Sequence, residues 1–127
     1  YGADVILLIA ACLEHEQAEI LARQAKNLGM EVLMEIHNAE ELEIVNDFVD
    51  IVGVNNRDLK TFEVNIETSI ALSKLIPDKF VKISESGLSG ASEIRYLRQN
   101  GFRGFLIGET FMKTDNPGEA CRKFIEA

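Results

Sequence analysis

Cysteine and tryptophan are scarce in this 127-residue sequence, which has two cysteines and no tryptophan. Two cysteines are too few, and too far apart, for a disulfide framework or a zinc site, so we expect no metal. We interpret Cys12 and Cys121 as small core residues. Because stray thiols suit a reducing compartment, the composition predicts a cytoplasmic protein.

The sequence also lacks a long hydrophobic run and an excess of basic residues. Its longest apolar stretch, residues 5–11, is far below the roughly 20 residues that span a bilayer, so we expect no membrane partner. Thirteen basic against 21 acidic residues give a net charge of −8, which would repel a nucleic acid. The 46% hydrophobic and 27% charged residues indicate a globular chain, expected to form a single domain over residues 1–127.

Short apolar runs alternate with segments of helical period, which is typical of repeated βα units in an α/β fold with a parallel sheet. The expected strands are residues 4–9, 31–36, 51–55, 80–84 and 104–108. A helix is predicted before Gly29, a second behind the capping box of Asn38 and Glu41, and a last one after Asn116. Two others are expected after Asn65 and before Gly101. The sequence therefore predicts five consecutive βα units.

Polar residues follow the strands at their carboxyl ends, where parallel α/β folds bind ligands. Glu35 shares the face of its strand with Leu33, and a carboxylate on an apolar face needs a partner or a role. It is either a member of a structural ion pair or a general acid or base. His37 lies beyond the strand and is interpreted as a loop or cap residue.

Two amides, a guanidinium and a carboxylate lie at the end of the third strand, in the order Asn55, Asn56, Arg57 and Asp58. This group either grips an anionic ligand or satisfies the loop backbone, with Arg57 pairing to Asp58. Gly87 and Gly108 lie at the carboxyl ends of the last two strands, where the loops begin. The backbone N–H groups of these loops could hold a phosphate. The glycines lack the dinucleotide fingerprint, so no nicotinamide or flavin cofactor is expected.

Two architectures accommodate five βα units. One is a flavodoxin-like sheet of order 2-1-3-4-5, but the acidic cluster, Asp and Lys of a phosphoryl-receiving domain are missing from the strand ends. The other is a TIM (β/α)8 barrel, which needs about 200 residues or more and cannot close with five units. The chain, which begins at Tyr1, is then expected to be the C-terminal part of a longer barrel.

Five motifs in series resemble the indole-3-glycerol phosphate synthase family. They are residues 2–9 (GADVILLI), 31–37 (EVLMEIH), 51–59 (IVGVNNRDL), 84–87 (SESG) and 105–109 (FLIGE). The resemblance covers the full chain in order and implies strands four to eight of the barrel. It further implies decarboxylating ring closure of 1-(2-carboxyphenylamino)-1-deoxyribulose 5-phosphate to indole-3-glycerol phosphate in tryptophan biosynthesis, without metal or cofactor. The implied partner is thus a phosphorylated small molecule.

The resemblance also implies roles for individual residues. Glu35 matches the family's acid/base carboxylate, while Leu7, Asn55, Arg57, Glu85 and Ser86 match substrate-binding positions, and Gly87, Gly108 and Glu109 match the phosphate loop. Some relatives carry Ser where this chain has Glu109, so that contact is expected to be a backbone one.

The family's lysines on strands one and three have no counterpart in this sequence, so the chain alone is expected to be nearly inactive. A partial barrel also exposes sheet edges and an apolar face, which predicts self-association, pairing with a missing N-terminal half, or a rearranged strand order. The alternative function is a non-catalytic, phosphate-binding, self-associating half-barrel. A different phosphate-binding barrel enzyme is a third reading, disfavoured by residues 55–58.

Overall fold

The computed structural model describes all residues from Tyr1 to Ala127. Five strands are present: β1 (Val5–Ile9), β2 (Glu31–Ile36), β3 (Ile51–Asn55), β4 (Val81–Glu85) and β5 (Gly104–Leu106). The helices are α1 (His15–Asn27), α2 (Glu67–Ser73), α3 (Ala91–Gln99), α4 (Glu109–Met112) and α5 (Pro117–Glu126), with 3-10 helices at Ala10–Cys12 and Glu40–Ile44. No helix is both long enough and apolar enough to cross a membrane.

All five strands are parallel and lie in the order β1-β2-β3-β4-β5. A flavodoxin-like sheet would place the second strand outside the first, so that alternative is wrong, and so is a rearranged strand order. Sequential parallel pairing is the order of strands in a TIM barrel. The chain therefore has the α/β fold of a partial barrel, with β1 and β5 at the two edges of its sheet.

The two faces of the sheet have different environments. On the helix-covered face the core residues Val32, Met34, Ile36, Val52 and Val54 are almost completely buried. The opposite face is open, and the apolar side chains of Val5, Leu7, Val81 and Leu106 are 39 to 50% exposed there. Alternation along each strand thus separates a packed core from an open face, as the period of two requires.

The helix predicted before Gly29 is confirmed as α1. Ala18, Ala22 and Ala25 face the core at helical spacing and are buried. Gly29 follows with a φ of +79°, a left-handed conformation that ends the helix at little steric cost because glycine has no Cβ. Asn116 likewise caps α5, since its side chain accepts a hydrogen bond from the Glu119 N–H.

Two further sequence predictions are wrong. The capping box at Asn38 starts no α-helix, because only the 3-10 helix Glu40–Ile44 forms, and it buries no residue completely. Its apolar residues Leu42 and Ile44 are only partly buried against the core, which gives weak support for further helical turns. The two cysteines are not core residues either: Cys12 is exposed and Cys121 is partly exposed, and both are free thiols.

Candidate active site

The candidate site lies at the carboxyl ends of β2, β3 and β4, on the open face of the sheet. The register aligns Glu35 with Gly53, and Asn55 with Glu85. Because registered residues in neighbouring strands point to the same side, these polar side chains converge there. β4 begins and ends one residue later than expected, which makes Glu85 the last residue of the strand rather than part of the loop.

Gly53 lies on β3, between β2 and β4, and its missing side chain leaves room for the carboxyl groups of Glu35 and Glu85. A Cβ at Gly53 would lie 2.5 Å from Oε1 of Glu85 and 3.2 Å from both Cδ1 of Leu33 and Cγ1 of Ile83. Since glycine leaves that volume empty, Glu85 and Glu35 reach toward each other across the backbone of β3. Both carboxyl groups are buried, with residue exposures of 7 and 6%.

The pKa of Glu85 is raised to about 8, mainly by burial and in addition by the negative charge of Glu35 beside it. Oε1 of Glu85 has no hydrogen-bond partner, so nothing compensates the charged form of that oxygen. Glu85 therefore carries a proton at neutral pH. A protonated carboxyl beside a charged one is an arrangement that can both give and accept a proton.

Asn55 connects the carboxyl groups to the loops. Its Nδ2 donates a hydrogen bond to Oε1 of Glu35, and its Oδ1 accepts hydrogen bonds from the Arg57 N–H at 3.0 Å and the Ser86 hydroxyl at 2.8 Å. Ser86 has a φ of +70°, a strained conformation for a residue with a Cβ. One amide thus fixes residues from three strand ends.

Asn56 differs from Asn55, because it points into the core rather than toward the open face. It is 3% exposed, and it donates hydrogen bonds to the hydroxyl of Ser84 and the carbonyl of Ser86. Its Oδ1 accepts from both the N–H and the hydroxyl of Ser69. Of the two loop amides, Asn56 fits the structural interpretation and Asn55 faces the site.

Arg57 reaches across the mouth of the site to the loop after β5. Its guanidinium lies 2.8 Å from Oε2 of Glu109 and donates to the carbonyl of Phe62 at 3.2 Å. The expected alternative partner Asp58 instead accepts from the N–H groups of Lys60 and Thr61, which lowers the pKa of its carboxyl. The simple Arg57–Asp58 pairing is therefore wrong.

Two cavities open beside these groups. The first, of about 440 Å³, is lined by Asn55, Arg57 and His37 together with residues of the loop that follows β3. The second, of about 370 Å³, is lined by residues 85–88 and 106–110, which include Gly87, Gly108 and Glu109. Leu7 shares the open face but lines neither cavity, and it is 50% exposed.

Gly87 is fixed by the loop that packs on it. Its φ is +72°, and an added Cβ would clash with a methyl group of Val64. Gly108 is different, because nothing lies within 4 Å of the place where its Cβ would be, and its φ is −130°. No cluster of three His, Cys, Asp or Glu side chains forms a metal-ligating group.

His37 is the site residue that sequence reasoning missed. It does follow β2 as expected, yet its side chain is only 8% exposed and its Nε2 lies 3.7 Å from Oε1 of Glu35. The available signal was its position two residues after Glu35, which places both side chains on one face if the extended backbone continues.

Replacing Gly53 by alanine tests the space between the carboxyl groups. We expect Gly53→Ala to displace the Glu85 carboxyl and to lower its pKa, and overpacking against Leu33 and Ile83 to cost about 1–3 kcal/mol of stability. Urea unfolding and carboxyl ¹³C titration measure the two effects. Gly108→Ala, which adds the same methyl group in open space, should change neither; equal losses in both variants would contradict this account.

The family model and the curated relatives agree on one family. The family model described as indole-3-glycerol phosphate synthase matches residues 1–124. A protein of that name from Bacteroides thetaiotaomicron is 52% identical over 126 residues, which are 99% of this chain and 48% of the relative. A Polynucleobacter asymbioticus protein of the same name is 43% identical over 120 residues, 94% of this chain and 45% of the relative. The chain thus spans about half the length of the curated relatives it matches.

A solved structure shows the same fold at low sequence identity. It is a chain from work on the tryptophan synthase a2b2 complex of Pyrococcus furiosus, with a TM-score of 0.72 and 19% identity. The match covers 98% of this chain and 55% of the other. Its sequence is too distant to say more than that the fold is shared.

Proposed function

This chain belongs to the indole-3-glycerol phosphate synthase family, and we propose that its 127 residues act as one domain, the C-terminal half of a synthase of tryptophan biosynthesis. The proposed reaction is the decarboxylating ring closure of 1-(2-carboxyphenylamino)-1-deoxyribulose 5-phosphate to indole-3-glycerol phosphate. The observation that carries the proposal is the convergence of Glu35, Asn55 and Glu85 on the open face beside two cavities. The free cysteines suit the cytoplasm.

In this proposal the two carboxyl groups move protons during loss of water from the closed ring. The leaving hydroxyl needs a proton, and the nascent indole must give one up. Glu85 holds a proton at neutral pH, and Glu35 beside it carries a charge. Glu35 is the proposed catalytic base, and Asn55 orients it through the hydrogen bond to Oε1.

Arg57 is the proposed contact for an anionic group of the substrate. Guanidinium groups bind carboxylates and phosphates through paired N–H donors. In the structure one of these donors, Nη2, already binds the carboxylate of Glu109, which is 74% exposed at the side chain, while Nη1 donates to the carbonyl of Phe62. A substrate anion would replace an exposed ion pair, which is worth about 1 kcal/mol or less, so displacement costs little.

The phosphate is proposed to occupy the second cavity, near Gly87 and Gly108. Ser86 and Gly87 both have positive φ, and successive backbone N–H groups in such turns form concave anion sites. The carboxylate of Glu109 is drawn toward Arg57, so the contact proposed there is through the backbone. Leu7 is the proposed apolar wall for the aromatic ring. Ser86 is proposed to bind substrate through its backbone N–H, because its hydroxyl hydrogen is donated to Oδ1 of Asn55.

We further propose that the chain alone turns over slowly, because the family's lysines on strands one and three have no counterpart here. Pairing with an N-terminal complement would supply them. The exposed apolar side chains of Val5, Leu7, Val81 and Leu106 favour such pairing, and they equally support the second candidate, a self-associating phosphate-binding half-barrel.

A chimaera tests the proposed function. The matching segment of the Bacteroides thetaiotaomicron relative is replaced by this chain, and formation of indole-3-glycerol phosphate is followed by fluorescence. We expect turnover within about 10-fold of the intact relative, because a hydrophobic core tolerates substitution when volume and pattern are kept. The isolated chain is the control and should show almost none.

An inactive but folded chimaera would contradict the proposed function. Light scattering of the chain alone tests the second candidate, the self-associating half-barrel. That function requires a dimer or larger assembly whose amount depends on concentration. Activity in the chimaera together with a monomeric isolated chain would exclude the self-associating half-barrel and support the synthase function.

A further inference from the structure

His37 is a buried histidine whose second ring nitrogen has no partner. Its side chain is 8% exposed, and Nε2 is buried without any hydrogen bond. Buried polar atoms are normally satisfied, so an orphaned nitrogen that faces the site calls for a reason. The roles proposed so far for Glu35 and Asn55 do not use it.

Glu41 fixes the orientation of the imidazole. Oε2 of Glu41 accepts a hydrogen bond from the His37 backbone N–H at 2.7 Å and lies 3.2 Å from Nδ1 of the same residue. A carboxylate can only accept, so Nδ1 carries a hydrogen. In the neutral ring Nε2 is then the acceptor, and it faces Oε1 of Glu35 at 3.7 Å.

We propose that His37 is a positioning residue that stores the proton of Glu35, an inference that rests on the proposed function. A proton leaves the Glu35 carboxyl and bonds to the Nε2 lone pair, which gives a glutamate and an imidazolium. The positive ring keeps its Nδ1–H toward the Glu41 carboxylate, so the net charge of the three groups is unchanged. The imidazolium then releases this proton from Nε2 to water in the first cavity, whose wall includes His37. Glu35 is then a base and His37 a neutral ring again, ready for the next turnover.

Neither of the other side chains that approach Glu35 can accept its proton. Asn55 donates to Glu35 but cannot accept a proton through its amide nitrogen. Glu85, on the far side of Gly53, is itself an acid that holds a proton. The remaining charged groups on the wall of the first cavity come from the loop after β3: Arg57, Asp58, Lys60 and Glu63.

Nitrogen NMR of the 127-residue chain tests the orientation without any activity. The sequence has two histidines, and His15, exposed at the start of α1, is an internal reference. Long-range ¹H–¹⁵N spectra of the neutral rings should show the Nδ1–H tautomer at His37. In Glu41→Ala the Nε2–H form should gain at His37 and stay unchanged at His15.

Glu40→Ala is the matched control, because Glu40 lies on the same 3-10 helix and is exposed. It should leave both histidines as they are. A neutral His37 in the Nε2–H form, or the same spectrum with and without the Glu41 carboxylate, would overturn the inference.

The chimaera supplies the second readout. Glutamine at position 37 can hydrogen-bond but cannot hold a proton, so His37→Gln and His37→Ala should both lower kcat by about 10-fold and shift the acidic limb of the pH profile. Restoration of kcat by glutamine would overturn proton storage and leave a structural role. If the chimaera with His37 is already inactive, the proposed function fails, and the tautomer in the chain still decides this inference.

Discussion

Replacing Glu85 by glutamine is expected to flatten the pH dependence of the free energy of unfolding. Folding raises the pKa of this carboxyl from its ordinary 4.5 to about 8, mainly by burial and also by the charge of Glu35. The folded state therefore binds a proton that the unfolded state releases between these values. Stability must then fall as pH rises from 4.5 to 8, and level off above and below that range.

The size of the fall follows from the shift. Each pKa unit corresponds to about 1.4 kcal/mol, and screening by water at the partly open site leaves about 2–3 kcal/mol of the total. Glu85→Gln keeps the shape of the protonated carboxyl without the titration. The variant should match the natural chain near pH 5 and exceed its stability by that amount above pH 8.

Urea unfolding at several pH values measures this difference. Glu43→Gln, the same change at an exposed glutamate of the 3-10 helix, is the control and should preserve the slope. If Glu85→Gln shows the same fall in stability with pH as the natural chain, another group carries the proton, and the assignment to Glu85 is wrong.

Replacing Glu35 by glutamine is expected to have the largest effect on catalysis. In the chimaera, kcat should fall by about 10²–10⁴-fold, the range that a positioned acid or base contributes, while KM changes little. Glutamine can still accept the hydrogen bond from Asn55, so the loss measures the missing charge and proton transfer rather than a missing contact.

The same variant has a consequence in the chain alone. Because the charge of Glu35 helps to raise the pKa of Glu85, Glu35→Gln should lower that pKa, and burial should still keep it above 4.5. Carboxyl ¹³C shifts against pH record the change. Glu31→Gln, at the exposed start of the same strand, is the matched control and should alter neither kcat nor the titration. An unchanged kcat in Glu35→Gln would remove this carboxyl from the mechanism.

Much of the fold was predictable because its signals are local. The five strands appear as short apolar runs, and the bounds of β2 and β3 agree with the structure residue by residue. Alternation within β2 already placed Glu35 opposite Met34 and Ile36. The capping box at Asn38 misled, since hydrogen bonds at a helix start do not supply the packing that sustains a helix.

The sequence by itself determined the family, the βα order and the set of polar residues at the strand ends. Tertiary structure decided how those residues meet: the registry that sets Glu35 and Glu85 across Gly53, the ion pair of Arg57 with Glu109, and the burial of His37 beside Glu35. The physical reason is that the two kinds of interaction act over different distances along the sequence. Periodicity and caps act over a few residues, whereas the pKa of a carboxyl depends on charges and desolvation supplied by distant strands.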